Sequence, residues 1–165
     1  MANEYQTHNR PNIVGWLSDN QALPNTTSAD STNMVEIGGT TNGLLMISVF
    51  ANTAISIADT KALTITFEAY SSDTAASAVF PASYNNSGGI NQASGTALAN
   101  GAGVMSFTFT ASGGAMAWAA GDLIVEFAVP DTMCRLLEYD FVQLKYTTTA
   151  NESSETVDAI VWARP

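Results

Sequence analysis

One histidine, His8, and one cysteine, Cys134, are all the imidazole and thiol that the 165 residues offer. A Ser-His-Asp or Cys-His nucleophile site needs an imidazole fixed by packing beside its nucleophile. His8 stands in the polar stretch Gln6-Thr7-His8-Asn9-Arg10, which reads as an arm and not as a place that holds a ring still. Cys134 has no histidine near it in sequence. Its neighbour Arg135 can lower a thiol pKa only modestly, so Cys134 reads as a small buried hydrophobe. One Cys and one His cannot supply the four ligands of a structural zinc site. Calcium takes six to eight oxygens. Asp131, Glu138 and Asp140 could converge, as could Glu152, Glu155 and Asp158, but no Asp-X-Asp-X-Asp-Gly loop is present. Glu68 and Glu126 sit in mid-strand patterns and could face each other as the two carboxyls of a glycosidase. The plainer reading is a pair of solvated outer-face carboxylates. Gly101-Ala102-Gly103-Val104-Met105-Ser106 lacks the third glycine and the following helix of a dinucleotide loop. No cofactor and no metal is therefore expected. Trp16, Trp118 and Trp162 can stack on sugars, anchor an interface or pack in a core.

Charge narrows the partners. Five Lys and Arg stand against fifteen Asp and Glu, a formal net charge of −10. Nucleic-acid binding needs basic side chains to displace counterions from phosphates, so no nucleic-acid partner is expected. An anionic membrane surface is disfavoured for the same reason. No apolar run approaches the ~20 residues of a membrane helix. With 46% hydrophobic and 12% charged residues, the chain is neither a disordered acidic tail nor a coiled coil, both of which carry far more charge. A lone cysteine leaves no intrachain disulfide to form, and Met1 to Arg10 shows no apolar signal core, so synthesis in a cytoplasm is expected.

The elements that would position these residues are strands. Tyr139 to Thr149 puts Val142, Leu144 and Tyr146 on one face, because successive strand side chains point to opposite sides. It contains no Gly or Pro, so it reads as an inner strand. Ala62 to Tyr70 alternates in the same way, with Leu63, Ile65, Phe67 and Ala69 together. Val104 to Thr110 places Met105, Phe107 and Phe109 inward, and Asp122 to Val129 does so with Leu123, Val125, Phe127 and Val129. Gly43 to Phe50 is almost continuously apolar, the pattern of a strand covered on both faces. Ile13 to Leu17 reads as a first strand, Met34 to Ile37 as a short one and Thr156 to Trp162 as the last. Asn20 to Asn33 and Asn85 to Gly103 read as loops, and Met116 to Ala120 as a helical turn or an extended linker. Ala76 to Tyr84 is ambiguous because of Pro81. No segment keeps a 3.6-residue apolar period. The expectation is an all-β, jelly-roll-like β-sandwich of two antiparallel sheets with eight or nine strands. An extended arm over residues 1–12 precedes a single sandwich domain over residues 13–165.

Three places, taken together, resemble a known family. The first is Leu17-Ser18-Asp19-Asn20-Gln21-Ala22-Leu23, followed by Thr26 to Asn33 and by Val35 with Ile37-Gly38. The second runs from Tyr139 through Val142-Gln143-Leu144-Lys145-Tyr146 to Thr149, and the third is Glu155 to Val161. Their order resembles the small capsid cement (decoration) proteins of short-tailed and related tailed bacteriophages. The likeness spans most of the chain, although Asn52 to Gly103 matches in pattern alone. It implies a jelly-roll sandwich and a homo-oligomer on the outer surface of the virion, made in the host cytoplasm. Its partner would be the major capsid protein, whose neighbouring capsomers it would bridge, and no enzymatic activity is implied. A homodimer would suit a two-fold axis of the shell and a homotrimer a three-fold one. The expected contact residues are Tyr5, Ile13, Val14, Trp16 and Trp162, with a core position as the competing reading for the two tryptophans. A carbohydrate-binding jelly-roll module of a virion fibre or surface protein is the alternative, and a small glycan-active enzyme the third.

Overall fold

A computed structural model describes residues 13–37, 44–70, 73, 105–129 and 141–164. The arm with Tyr5 and His8, the stretches Ala76 to Tyr84 and Asn85 to Gly103, and Cys134 with Asp131, Glu138 and Asp140 lie outside the described residues.

The described chain is all-β. Its strands are β1 (Ile13–Ala22), β2 (Ser28–Asp30), β3 (Val35–Glu36), β4 (Leu44–Ala51), β5 (Ile55–Ile57), β6 (Ala62–Tyr70), β7 (Met105–Thr110), β8 (Met116–Trp118), β9 (Leu123–Ala128), β10 (Phe141–Thr148) and β11 (Thr156–Arg164). One sheet has the order β1-β11-β4-β9. The other has the order β2-β10-β6-β7, with β3 also pairing β10, and β5 pairs β8. All the strand pairs are antiparallel. The described residues thus form eleven strands, in sheets of four, five and two, and the two larger sheets are consistent with a β-sandwich.

Alternation builds the core between the two sheets. Val142, Leu144 and Tyr146 of β10 are fully buried, as are Leu63, Ile65, Phe67 and Ala69 of β6. From the other sheet come Leu45, Ile47, Val49 and Ala51 of β4, Val125 and Phe127 of β9, and Val157, Ala159 and Val161 of β11. Phe127 spans the layers. Its ring centroid lies 5.7 Å from that of Phe67, nearly edge-on, and 4.8 Å from that of Phe107. Edge and tilted geometries suit the aromatic quadrupole.

Several local expectations change. Asn20 to Asn33 contains the end of β1 and the whole of β2, so it is not all loop. Met116–Trp118 is a strand, and Trp118 packs edge-on against Phe109 at 5.5 Å. Leu123 does not face inward. A register shift between Val49 and Phe50 pairs Phe50 with Leu123, leaving Leu123 39% exposed while Ile124 is buried. A bulge of this kind turns every later side chain to the other face.

β1 carries three such shifts against β11, between Ile13 and Gly15, Trp16 and Ser18, and Ser18 and Gln21. They let Leu17 and Ser18 both point inward and be fully buried. At Gly15 the two layers meet closely: a Cβ there would lie 2.9 Å from both methyls of Val35. No side chain larger than hydrogen fits without a shift.

Candidate functional site

The candidate site is the outward face of the β1-β11-β4-β9 sheet. On β11 the core takes Val157, Ala159 and Val161, so Asp158, Ile160 and Trp162 project outward. On β4 the same logic sends Met46, Ser48 and Phe50 outward. Strand register lines these up in rows. One row runs Ile13, Trp162, Met46, Ala128; the next runs Trp16, Ile160, Ser48, Glu126. A third pairs Asp158 with Phe50 and Phe50 with Leu123.

Three of the expected contact residues therefore come together. Ile13 is the cross-strand partner of Trp162, and Trp16 is that of Ile160, one row along. All three are half-buried. Val14, at the bulge next to Ile13, is 37% exposed. Tyr5 lies outside the described residues. The middle of the face is covered: Met46, Phe50 and Ile160 are at most 3% exposed. The continuous apolar pattern of β4 is thus explained by burial on both sides.

A polar thread crosses this face. The Trp162 indole N–H donates to Ser48 Oγ at 2.9 Å, and Ser48 Oγ donates to Glu126 Oε2 at 2.6 Å. Ser48 is fully buried, so without these partners its hydroxyl would carry a desolvation penalty. Asp158, also buried, accepts the Asn20 backbone N–H at 2.7 Å. The thread ties the indole to the sheet through its N–H, and Trp162 stays half-buried.

The second polar cluster lies on the outward face of the other sheet. Glu68 Oε1 accepts from Lys145 Nζ at 2.9 Å and Oε2 from the Tyr70 hydroxyl at 2.5 Å. Lys145 also lies 3.5 Å from Asp30. The bond to Glu68 holds the Lys145 pKa above its ordinary value, and burial followed by the same carboxylate raises that of Tyr70. Hydroxyl pairs Thr64–Thr108 and Thr66–Ser106 continue the face toward β7. Glu68 and Glu126 therefore project from opposite outer faces of the sandwich and do not flank one groove. The acid–base pair required for glycoside hydrolysis is not formed by these two residues.

Glu152, Glu155 and Asp158 do not converge as a set of three. Glu152 and Glu155 pair in the turn before β11, whereas Asp158 binds Asn20. Among the described residues no group of three or more His, Cys, Asp or Glu side chains could hold a metal ion. The paired turn carboxyls, and the buried Tyr146–Ser18 contact at 2.8 Å, are features that strand alternation does not point to. The spacing of Glu152 and Glu155 across a tight turn was their one visible signal.

The fold and this face together define a two-sheet β-sandwich whose outward sheet face is apolar and aromatic at its β1-β11 margin. Neither protein-family models nor curated proteins give a match to the chain.

Proposed function

We propose that the chain is a virion structural protein that binds the outer surface of the assembled major capsid shell. There it bridges neighbouring capsomers as a homodimer, or as a homotrimer if a three-fold site is used, and performs no catalysis. The observation that carries this reading is the aromatic margin of the outer sheet face: Ile13 beside Trp162, Trp16 beside Ile160, and Val14 exposed next to them. Aromatic anchors in a desolvated patch are what dominate protein–protein contact energy. The capsid as partner follows from the family likeness of the sequence. The net charge of −10 suits a surface held away from packaged DNA. A protein that binds the assembled shell and not its separate subunits shifts the equilibrium toward the intact particle, and repetition over a lattice multiplies a modest contact.

One observation favours a carbohydrate-binding module instead. Trp16 and Trp162 share a sheet face with Glu126 and Asp158, and sugars stack on indoles while carboxylates take their hydroxyls. Against it, Glu126 already accepts from Ser48 and Asp158 from Asn20.

Co-sedimentation with expanded, undecorated shells of the phage that encodes the chain decides between them. Unassembled capsid subunits serve as the control. Saturable pelleting with shells alone is the expected result, and its copy number assigns the symmetry axis. No pelleting at micromolar protein would remove the cement reading and bring the sugar-binding one forward.

A further inference from the structure

The turn between β10 and β11 is the hub of one end of the sandwich, and Glu155 is its centre. The Glu155 carbonyl accepts the Leu23 N–H at 2.8 Å, its own N–H donates to the Glu152 carbonyl at 2.9 Å, and its Oε1 accepts the Ser56 N–H at 3.0 Å. The turn is thereby tied to the β1–β2 connection on one side and to β5 on the other. Thr26 N–H to the Ala150 carbonyl and the Asn25–Asn151 bridge add to the first tie.

Two facts about this hub need a common cause. Glu155 Oε2 is buried and has no donor. Glu152, 6% exposed, sits against it with its own carboxyl. A buried carboxylate beside a half-buried one repels it, and an orphan buried oxygen is costly. A single proton resolves both: carried by Glu152, it donates to Glu155 Oε2.

We propose that Glu152 carries a proton that it donates to Glu155 Oε2, and that the turn over residues 150–155 is a proton-held latch on β5 and on the β1–β2 connection. Burial, followed by the bond to Glu155 and its charge, raises the Glu152 pKa to about 7. Among the described residues nothing else titratable offsets the pair. The 23–27 stretch, the 52–54 stretch and β5 contain no charged residue, and Asp158 of β11 is engaged by Asn20. Asp59 and Lys61 belong to the β5–β6 turn, and neither contributes to the Glu152 shift, to which Glu155 is the one charged contributor. Glu152 holds its proton more tightly in the fold than in the unfolded chain. The latch is therefore fully closed below its ordinary value near 4.5 and loses its hold as pH rises through about 7. The latch stands independently of the capsid reading, because it lies at the end of the sandwich opposite the Ile13–Trp162 margin.

The test is amide hydrogen exchange and carboxyl NMR titration on the full chain from about pH 5 to about pH 9, for the native protein and for Glu152→Gln. A glutamine keeps the donor at every pH. In the native protein, protection of the Ser56 and Leu23 amides should fall by about tenfold or more, beyond the intrinsic pH effect, as pH passes about 7. In Glu152→Gln it should stay flat, while core amides of β6 and β10 are unchanged in both. The Glu152 carboxyl resonance should titrate with a midpoint near 7. A Glu152 midpoint in the ordinary carboxylate range overturns the proposal, and so does an equal loss of protection in Glu152→Gln. The native titration decides alone should the variant not fold.

Discussion

Tyr146 shows how a single buried group sets both stability and its pH limit. It lies on the inner face of β10 and is fully buried. Ser18 Oγ donates its one proton to Gln21 Oε1 at 2.7 Å, so the Tyr146 hydroxyl must be the donor in the 2.8 Å contact with Ser18. Tyr146→Phe removes that donor but leaves Ser18 bonded to Gln21. The expected cost is about 1 kcal/mol, read as a lower urea midpoint with an unchanged m-value. Burial raises the phenol pKa, so the folded chain keeps this proton where the unfolded chain would lose it. Stability from this group is complete below about pH 10 and drains above it. Phenolate absorbance from Tyr146 should appear only with unfolding, and Tyr146→Phe should remove that part of the alkaline loss. That the ring faces inward was legible from the spacing of Val142, Leu144 and Tyr146. Its partner was not, because Ser18 reaches the core only through a bulge in a strand 128 positions away.

Bulges decide what could be read at the scale of the element. Long strands with clean alternation, β6, β7 and β10, follow their sequence pattern closely, because one register puts Leu63, Ile65, Phe67 and Ala69, Phe107 and Phe109, and Val142, Leu144 and Tyr146 in the core. The short β2, β5 and β8 do not announce themselves. Each has three residues, too few for a period-2 signal. β2 takes its backbone partners from the longer β10, while β5 and β8 pair with each other. β1 breaks its own alternation three times, so its contribution to the outer face could be guessed from Ile13 and Trp16 but not its register. Gly15 is where this irregular strand is held against the opposite layer. Gly15→Ala would place a methyl 2.9 Å from both Val35 methyls and force β1 and β3 apart. The expected cost is about 1 to 3 kcal/mol by denaturant unfolding. Val35→Ala should relieve it, costing less in the Gly15→Ala background than alone. Additive effects in that cycle would mean the two layers do not meet there.

At the scale of the molecule the described strands separate two ends. The turns after β1, β4, β7 and β10 gather at the end held by Glu155, while Ile13, Leu44, Ala128 and the end of β11 lie at the other. The candidate contact margin belongs to this second end. Its tryptophans were legible as surface or core, but not as both. On an outward sheet face both are half-buried, which fits neither reading taken alone. Met46, Phe50 and Ile160 are already buried, so contact energy must come from the margin and not from the middle of the face. Val14 and Leu123 test this directly. They are the two exposed large hydrophobics among the described residues, on the edge strands β1 and β9 of the same sheet, with Val14 near Trp162 and Leu123 paired to Phe50. Exposed substitutions away from special features change stability by no more than about 0.5 kcal/mol, so Val14→Asp and Leu123→Asp should both fold as the native protein does. A carboxylate pressed into a desolvated contact is costly, and Val14→Asp should weaken shell binding by about tenfold or more in the sedimentation assay. Leu123→Asp should leave it unchanged. Equal weakening by both would move the contact to the whole sheet face. An effect of Leu123→Asp alone would place it at the opposite edge, and the β1-β11 margin would then be a feature of packing and not of assembly.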